Sequence, residues 1–215
     1  MPRFSWQPAC SPHCSKHSEK ILGAAKVAPF FLSIWRILSA MNKGTCIVAG
    51  NAWTLHDDLN RARSVVGDVP VIAVNGAARE VKAVVLFSAH PDRFMERGYE
   101  WIRHQKRLFG PDFTVHGATH KPDMPWVEHW WGPLPGGGGS AWGARKVAKL
   151  MGFSTVVLCG CPLSPGNYAG DRPGLIMTRP EIVGQYASEI ASDTGWHEGC
   201  YSMSGATREI LGCFR

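Results

Sequence analysis

The chain has 215 residues, of which 45% are hydrophobic types and 19% charged, the balance of an ordinary globular domain with enough apolar residues for a core. The formal charge is +6, but Arg3, Lys16, Lys20, Lys26 and Arg36 against Glu19 place +4 of it in residues 1–40. That argues against a broad nucleic-acid footprint on the remainder and leaves only a local basic patch at Arg103, Lys106 and Arg107.

Residues 1–40 mix Pro, Ser, Cys and His without period. They read as a disordered extension, with Met41 as an alternative start, and 41–215 as one domain. Cys10, His13, Cys14 and His17 are spaced too tightly for a zinc site and have no second ligand pair nearby. The apolar run Val27–Trp35 contains Pro29 and is too short to span a bilayer, so no transmembrane segment is expected. Seven cysteines are an odd number at irregular spacing. Cys46, Cys159 and Cys161 lie in or beside apolar runs, which predicts reduced, buried thiols and a cytoplasmic setting.

From Met41 the pattern alternates. Thr45–Ala49 reads as a strand, followed by the tight connection Gly50-Asn51-Ala52-Trp53. Thr54 with Asp57 three residues on reads as a capping box for a helix to about Val66. Pro70–Val74 is a second strand, ending at Asn75-Gly76. Val81–Phe87 is a third, nearly all apolar and so buried on both faces. His90-Pro91 ends it, and a helix follows to about Leu108. Asp112–His116 is a short fourth strand.

Residues 117–139 read as one long loop rich in Trp, Pro and His. Trp126, Trp130 and Trp131 could stack on a ligand or form a lid. His116, His120, His129, Asp123 and Glu128 lie near one another in sequence but in no metal-binding spacing. Four glycines then lead to Ser140, a good helix N-cap. Ala144, Val147, Ala148 and Met151 give the helical apolar pattern, Gly152 stops it, and Ser154–Cys159 is a strand closed by Gly160. Glycines before a helix N-terminus suit a phosphate, so Gly139 and Ser140 are candidate ligands. A second long loop covers 162–180. Glu181–Ser192 and Ser204–Leu211 read as helices.

Strands alternating with helices predict an α/β fold: a Rossmann-like three-layer sandwich on a mainly parallel sheet. Ligands of such sheets lie outside the carboxyl ends of the strands, which selects Gly50-Asn51, Asn75-Gly76, His90, His116 and Gly160-Cys161. The turn after the first strand lacks GxGxxG, which argues against NAD or FAD. Gly138-x4-Gly143-Ala144-Arg145 lacks the Lys-Ser/Thr pair of a P-loop.

The segments VAGNAWTL, VIAVNGAA and GGSAWGARKVAKLMGFSTVVLCGCPL, with a Tyr downstream, resemble the bacterial lipo-oligosaccharide sialyltransferases. They are also similar to the related motility-accessory and archaeal pterin-pyrophosphokinase-like proteins. The resemblance covers about residues 45–170 and implies a Rossmann-like enzyme using a CMP- or UDP-linked nucleotide sugar. It implies that Gly50 and Asn51 meet phosphate and ribose, Asn75 the base or sugar, and Ser140 and Tyr168 phosphate oxygens. Gly160 would line the same crevice. His197 would be the base, and His90 is a second catalytic candidate by its strand-end position. Ala52-Trp53-Thr54 departs from the Gly-Pro-Ser of that pattern, and Gly-Ser replaces Ser-Gly before the late helix.

The chemistry fits these residue types. Glycosyl transfer needs a base for the acceptor, which a His supplies near neutral pH, and donors for the departing phosphate, which Arg172 and Arg179 could supply. Two other readings stay open. A pyrophosphoryl or nucleotidyl transferase or hydrolase would use metal-bound carboxylates such as Asp57 or Asp171. A non-catalytic module would bind the nucleotide only. The acceptor and any metal are not read from the sequence.

Overall fold

The computed structural model describes residues 44–94, 102, 106–107, 110, 113–118, 123–134, 136–167, 169 and 180–215. Its centre is a seven-stranded, all-parallel sheet, the α/β sandwich that the alternating pattern predicts. The strands are β1 (Thr45–Ala49), β2 (Val71–Val74), β3 (Val85–Ser88), β4 (Thr114–Gly117), β5 (His129–Trp130), β6 (Thr155–Cys159) and β7 (Cys200–Ser202). Their spatial order is β5-β4-β3-β2-β1-β6-β7. The chain walks outward from β1 to β5, then returns across the sheet to lay β6 against the other side of β1.

Four α-helices are described: α1 (Leu55–Val66), α2 (Gly139–Leu150), α3 (Pro180–Ser192) and α4 (Gly205–Leu211). None of the described helices is long and apolar enough to cross a membrane. The period-two geometry of β1 divides the core. Ile47 and Ala49 face Leu55, Leu59 and Ala62 of α1. Cys46 and Val48 face Trp142, Ala144, Val147 and Ala148 of α2. Central strands buried on both faces explain the unbroken apolar runs of β2, β3 and β6.

Several boundaries differ from the sequence reading. The third strand starts at Val85, because residues 75–79 form a 3₁₀ turn and 81–84 climb back to the sheet, with Val84 N–H bonded to Val71 O at 2.9 Å. β5 lies inside the stretch read as loop. It is only two residues long, pinned by Glu128 N–H to Val115 O at 2.8 Å, and Glu128 Oε2 also accepts Val115 N–H at 2.7 Å. β7 is too short to carry a period. The capping box is not formed: Thr54 is buried and accepts Ser204 Oγ at 3.2 Å instead of capping α1. Pro91–Phe94 is a 3₁₀ turn, and most of the helix expected to Leu108 lies outside the described residues.

Candidate functional site

The order of the strands sets the site. Chain direction across the sheet reverses between β1 and β6, the switch point outside which parallel α/β sheets take ligands. The residues at the carboxyl ends there are Gly50-Asn51 and Gly160-Cys161. Beyond the strands the two chains stay paired: Gly50 N–H bonds Cys159 O at 2.8 Å and Ala52 N–H bonds Gly160 O at 3.1 Å. A Cβ on Gly50 would stand 2.5 Å from Gly160 O. Gly160 is left-handed at φ 63, and a Cβ on it would overlap the Gly50 carbonyl. These two glycines therefore close the sheet backbone to backbone and leave no gap between the ends of β1 and β6.

Asn51 is the polar group this closure leaves over. Its amide lies over the end of β2, with Nδ2 2.8 Å from where a Gly76 Cβ would be. Its Oδ1 is buried and has no hydrogen-bond partner. Asn75, the first residue after β2, holds φ 51, a left-handed conformation that Asn tolerates better than most residues. Asn51 and Asn75, both expected at the site, are thus brought together over two adjacent strand ends. His90 is exposed at the end of β3, its N–H bonded to Ser88 Oγ at 3.1 Å. Tyr168, Asp171, Arg172, Arg179 and His120 lie outside the described residues.

The tetraglycine segment is not an open cradle. Gly138, not Ser140, is the cap of α2, left-handed at φ 86, and Gly139 follows at φ 75. A Cβ on Gly138 would lie 2.7 Å from Trp142 Cδ1, and one on Gly139 2.9 Å from Tyr186 Cε2. Close packing of α3 and an entry through positive φ together require glycine here. Glu189 of α3 reaches back and accepts Gly138 N–H at 2.5 Å, so the protein's own carboxylate takes the anion position there. Ser140 lies inside the helix, half-buried.

Beneath that loop is a buried charge cluster the sequence reading did not contain. Lys146 pairs with Asp193 at 2.5 Å, and Trp142 Nε1 donates to the same carboxylate at 2.8 Å. Desolvation pushes the Asp193 carboxyl up, but these two hydrogen bonds and the charges of Lys146 and Arg145 outweigh it and hold it below its usual range. Arg145 is fully buried, 4.5 Å from the Trp142 ring centre and 5.5 Å from that of Trp196. None of its guanidinium nitrogens has a partner in hydrogen-bond geometry. Burial raises the nearby Cys200 thiol, and the charge of Arg145 opposes that rise. His197 lies in this cluster: its Nε2 donates to Ile190 O at 2.7 Å and its ring meets Trp142 edge-on at 5.8 Å. It makes no described contact with Asn51 or Asn75.

Asp58 is a second buried charge the sequence did not single out. It accepts Gly160 N–H at 2.9 Å and Ser204 Oγ at 2.6 Å, and pairs with Arg61 at 2.5 Å. Its sequence neighbour Asp57, the carboxylate proposed for a metal, is exposed. Spacing offered a signal: Asp58, Leu55, Leu59 and Ala62 share the buried face of α1.

His116 is inside β4 and not at its end. Trp131 Nε1 donates to its Nδ1 at 3.2 Å, which leaves Nε2 to carry the proton toward Thr114 Oγ1 at 3.1 Å. Burial, with a smaller contribution from His129, lowers its pKa to about 3. Both nitrogens are committed, so it is neither base nor metal ligand. Glu128 is bound to Val115 N–H and Lys106. Among the described residues no group of three His, Cys, Asp or Glu is placed to hold a metal. Trp126 and Trp130 pack on one core and Trp131 on the other, so they are wall rather than lid. Cys46, Cys159 and Cys161 are free and buried as expected, the Cys161 thiol pushed up to about 12 chiefly by desolvation.

The opposite edge of the sheet has a shallow groove lined by Gly44, Thr45, Val65, Val66, Val69 and Phe214. None of these lining residues is charged. No protein-family model matches this chain, and neither a curated protein nor a solved structure matches it.

Proposed function

We propose that the chain binds a nucleotide or nucleotide sugar at the carboxyl edge of the sheet, above β1 and β2. The observation that carries this reading is Asn51 Oδ1, a buried acceptor without a donor, at the switch point of a parallel sheet. A buried acceptor left unmade costs about 1–3 kcal/mol, and a ribose hydroxyl or a base amine would satisfy it. Asn75 supplies a second amide on the neighbouring strand. With Glu189 already on Gly138 N–H, the ligand's phosphate lies toward Ser140 and the loop after β6, not in the glycine run itself.

The reaction we attach to this site is glycosyl transfer from a CMP- or UDP-linked sugar, which rests on the resemblance carried by residues 48–55, 71–78 and 138–163. His90 is then the better base, because it is exposed at the same edge, whereas His197 is committed to Ile190 O. A second reading, binding without chemistry, is favoured by one fact: His90 has no described side chain holding its ring, as a catalytic base usually does. A thermal-shift screen against CMP, UDP, GDP, ADP and their sugars, with and without magnesium, tests the proposal, since ligands raise the midpoint by mass action. A response to CMP or UDP without metal supports glycosyl transfer. A metal-dependent response to triphosphates favours phosphoryl or nucleotidyl chemistry, and no response to any nucleotide rejects the site.

A further inference from the structure

Trp53 is 55% exposed, and it is one of only three large hydrophobic side chains so exposed among the described residues. The other two, Val65 and Leu150, lie at or beside the carboxyl-terminal ends of α1 and α2. Trp53 alone is at the carboxyl edge of the sheet, two residues beyond Asn51. An indole left in water is a cost the fold has means to avoid, and here the surroundings fix it in place.

The fixing has three parts. Trp53 N–H bonds Asn167 O at 3.0 Å, and Asn51 O accepts Ala169 N–H at 2.9 Å, so the chain after β1 is tied to the chain after β6 on both sides of Ala52. Ala52, between Asn51 and Trp53, is buried, whereas Trp53 is exposed. The indole edge then lies over Gly166, where any Cβ would collide with Nε1 and Cδ1. Gly166 needs no special backbone angle; its lack of a side chain makes the seat. The ring edge is seated on Gly166 while the side chain as a whole stays 55% exposed, two residues along the chain from the orphaned Asn51 Oδ1.

We propose that Trp53 is a stacking platform for the base of the bound nucleotide, and that Asn51 and Trp53 together read the nucleoside. This rests on the nucleotide reading of the site. An aromatic face accepts any base, and such stacking is worth about tenfold or more in affinity by alanine substitution.

The test is calorimetric titration of the full chain with CMP, UDP, GDP and ADP, and with ribose 5-phosphate as a probe that has no base. Trp53→Ala should weaken whichever nucleotide binds wild type by about tenfold or more and leave ribose 5-phosphate unchanged. Trp53→Phe should keep most of the affinity and lose the part of the indole fluorescence quench on nucleotide binding that Trp53 is expected to give in wild type. Equal nucleotide affinity of wild type and Trp53→Ala overturns the platform and leaves the site standing. Loss of ribose 5-phosphate binding in Trp53→Ala also overturns it, as the effect would not be on the base. If wild type binds none of the probes, the nucleotide reading itself fails.

Discussion

Gly50 and Gly160 meet backbone to backbone across the switch point, each occupying the space where the other's Cβ would lie. Gly160 also holds φ 63 and gives its N–H to Asp58. Replacing it adds a left-handed strain of about 1–2 kcal/mol to an overlap with backbone that cannot yield, itself about 1–3 kcal/mol. Gly160→Ala should therefore lower unfolding stability by roughly 3 kcal/mol in urea, with an unchanged slope. A loss below about 1 kcal/mol would show that the two chains separate readily and that a ligand could enter between them.

Asp58 and Asp57 separate structure from surface. Asp58→Ala orphans the buried Gly160 amide and removes the carboxylate partner of Ser204 and Arg61, and should cost about 3 kcal/mol. Asp57→Ala should stay within about 0.5 kcal/mol in denaturant titration, with or without magnesium. A magnesium-dependent change in Asp57→Ala would restore the metal reading of that carboxylate.

Arg145 gives the opposite kind of prediction. Its guanidinium is buried with no oxygen acceptor in hydrogen-bond geometry, only the Cys200 thiol and the charge of Asp193 nearby, and two indole faces return only about 2 kcal/mol each at best. Desolvation of a cation held by no direct ion pair costs several kcal/mol. Arg145→Met, of similar volume, should be within about 1 kcal/mol of wild type or more stable by thermal melt. A large loss would mean that the charge has a partner in solution.

His116 sets a pH dependence. Its folded pKa is about 3 against 6.5 for the free side chain. Above 6.5 both states are neutral and the group contributes no slope. As pH falls from about 6.5 toward about 3 the unfolded chain takes up a proton that the folded chain does not, so stability falls, by up to about 1.4 kcal/mol per pH unit. His116→Gln should be less stable than wild type near neutrality and lose that part of the acid slope. An equal slope in both proteins would show that His116 is already charged in the fold.

The sheet was legible because buried parallel strands are continuous apolar runs, and β1, β2 and β6 were found to within a residue or so at each end. β5 and β7 were not, because strands of two and three residues carry no period and are placed by neighbours such as Glu128 and Ser202. The site was half legible. Asn51 and Asn75 stand at strand ends, a position fixed by topology alone. The tetraglycine was ambiguous, because glycine required by close packing reads the same as glycine required by a phosphate, and it is Glu189 on Gly138 N–H that shows the packing role there. Lys146, Arg145 and Asp193 were invisible as a cluster since they come together only when α3 folds over α2.

Asn51 bears the central claim. Calorimetric titration of wild type and Asn51→Ala with CMP and UDP, at fixed salt and pH, measures it directly. The account predicts binding to wild type, at least tenfold weaker binding to Asn51→Ala, and a thermal midpoint of the unliganded variant no lower than that of wild type, because the deleted acceptor satisfies nothing in the free protein. Equal affinity in the two proteins, or no binding to either, would contradict it.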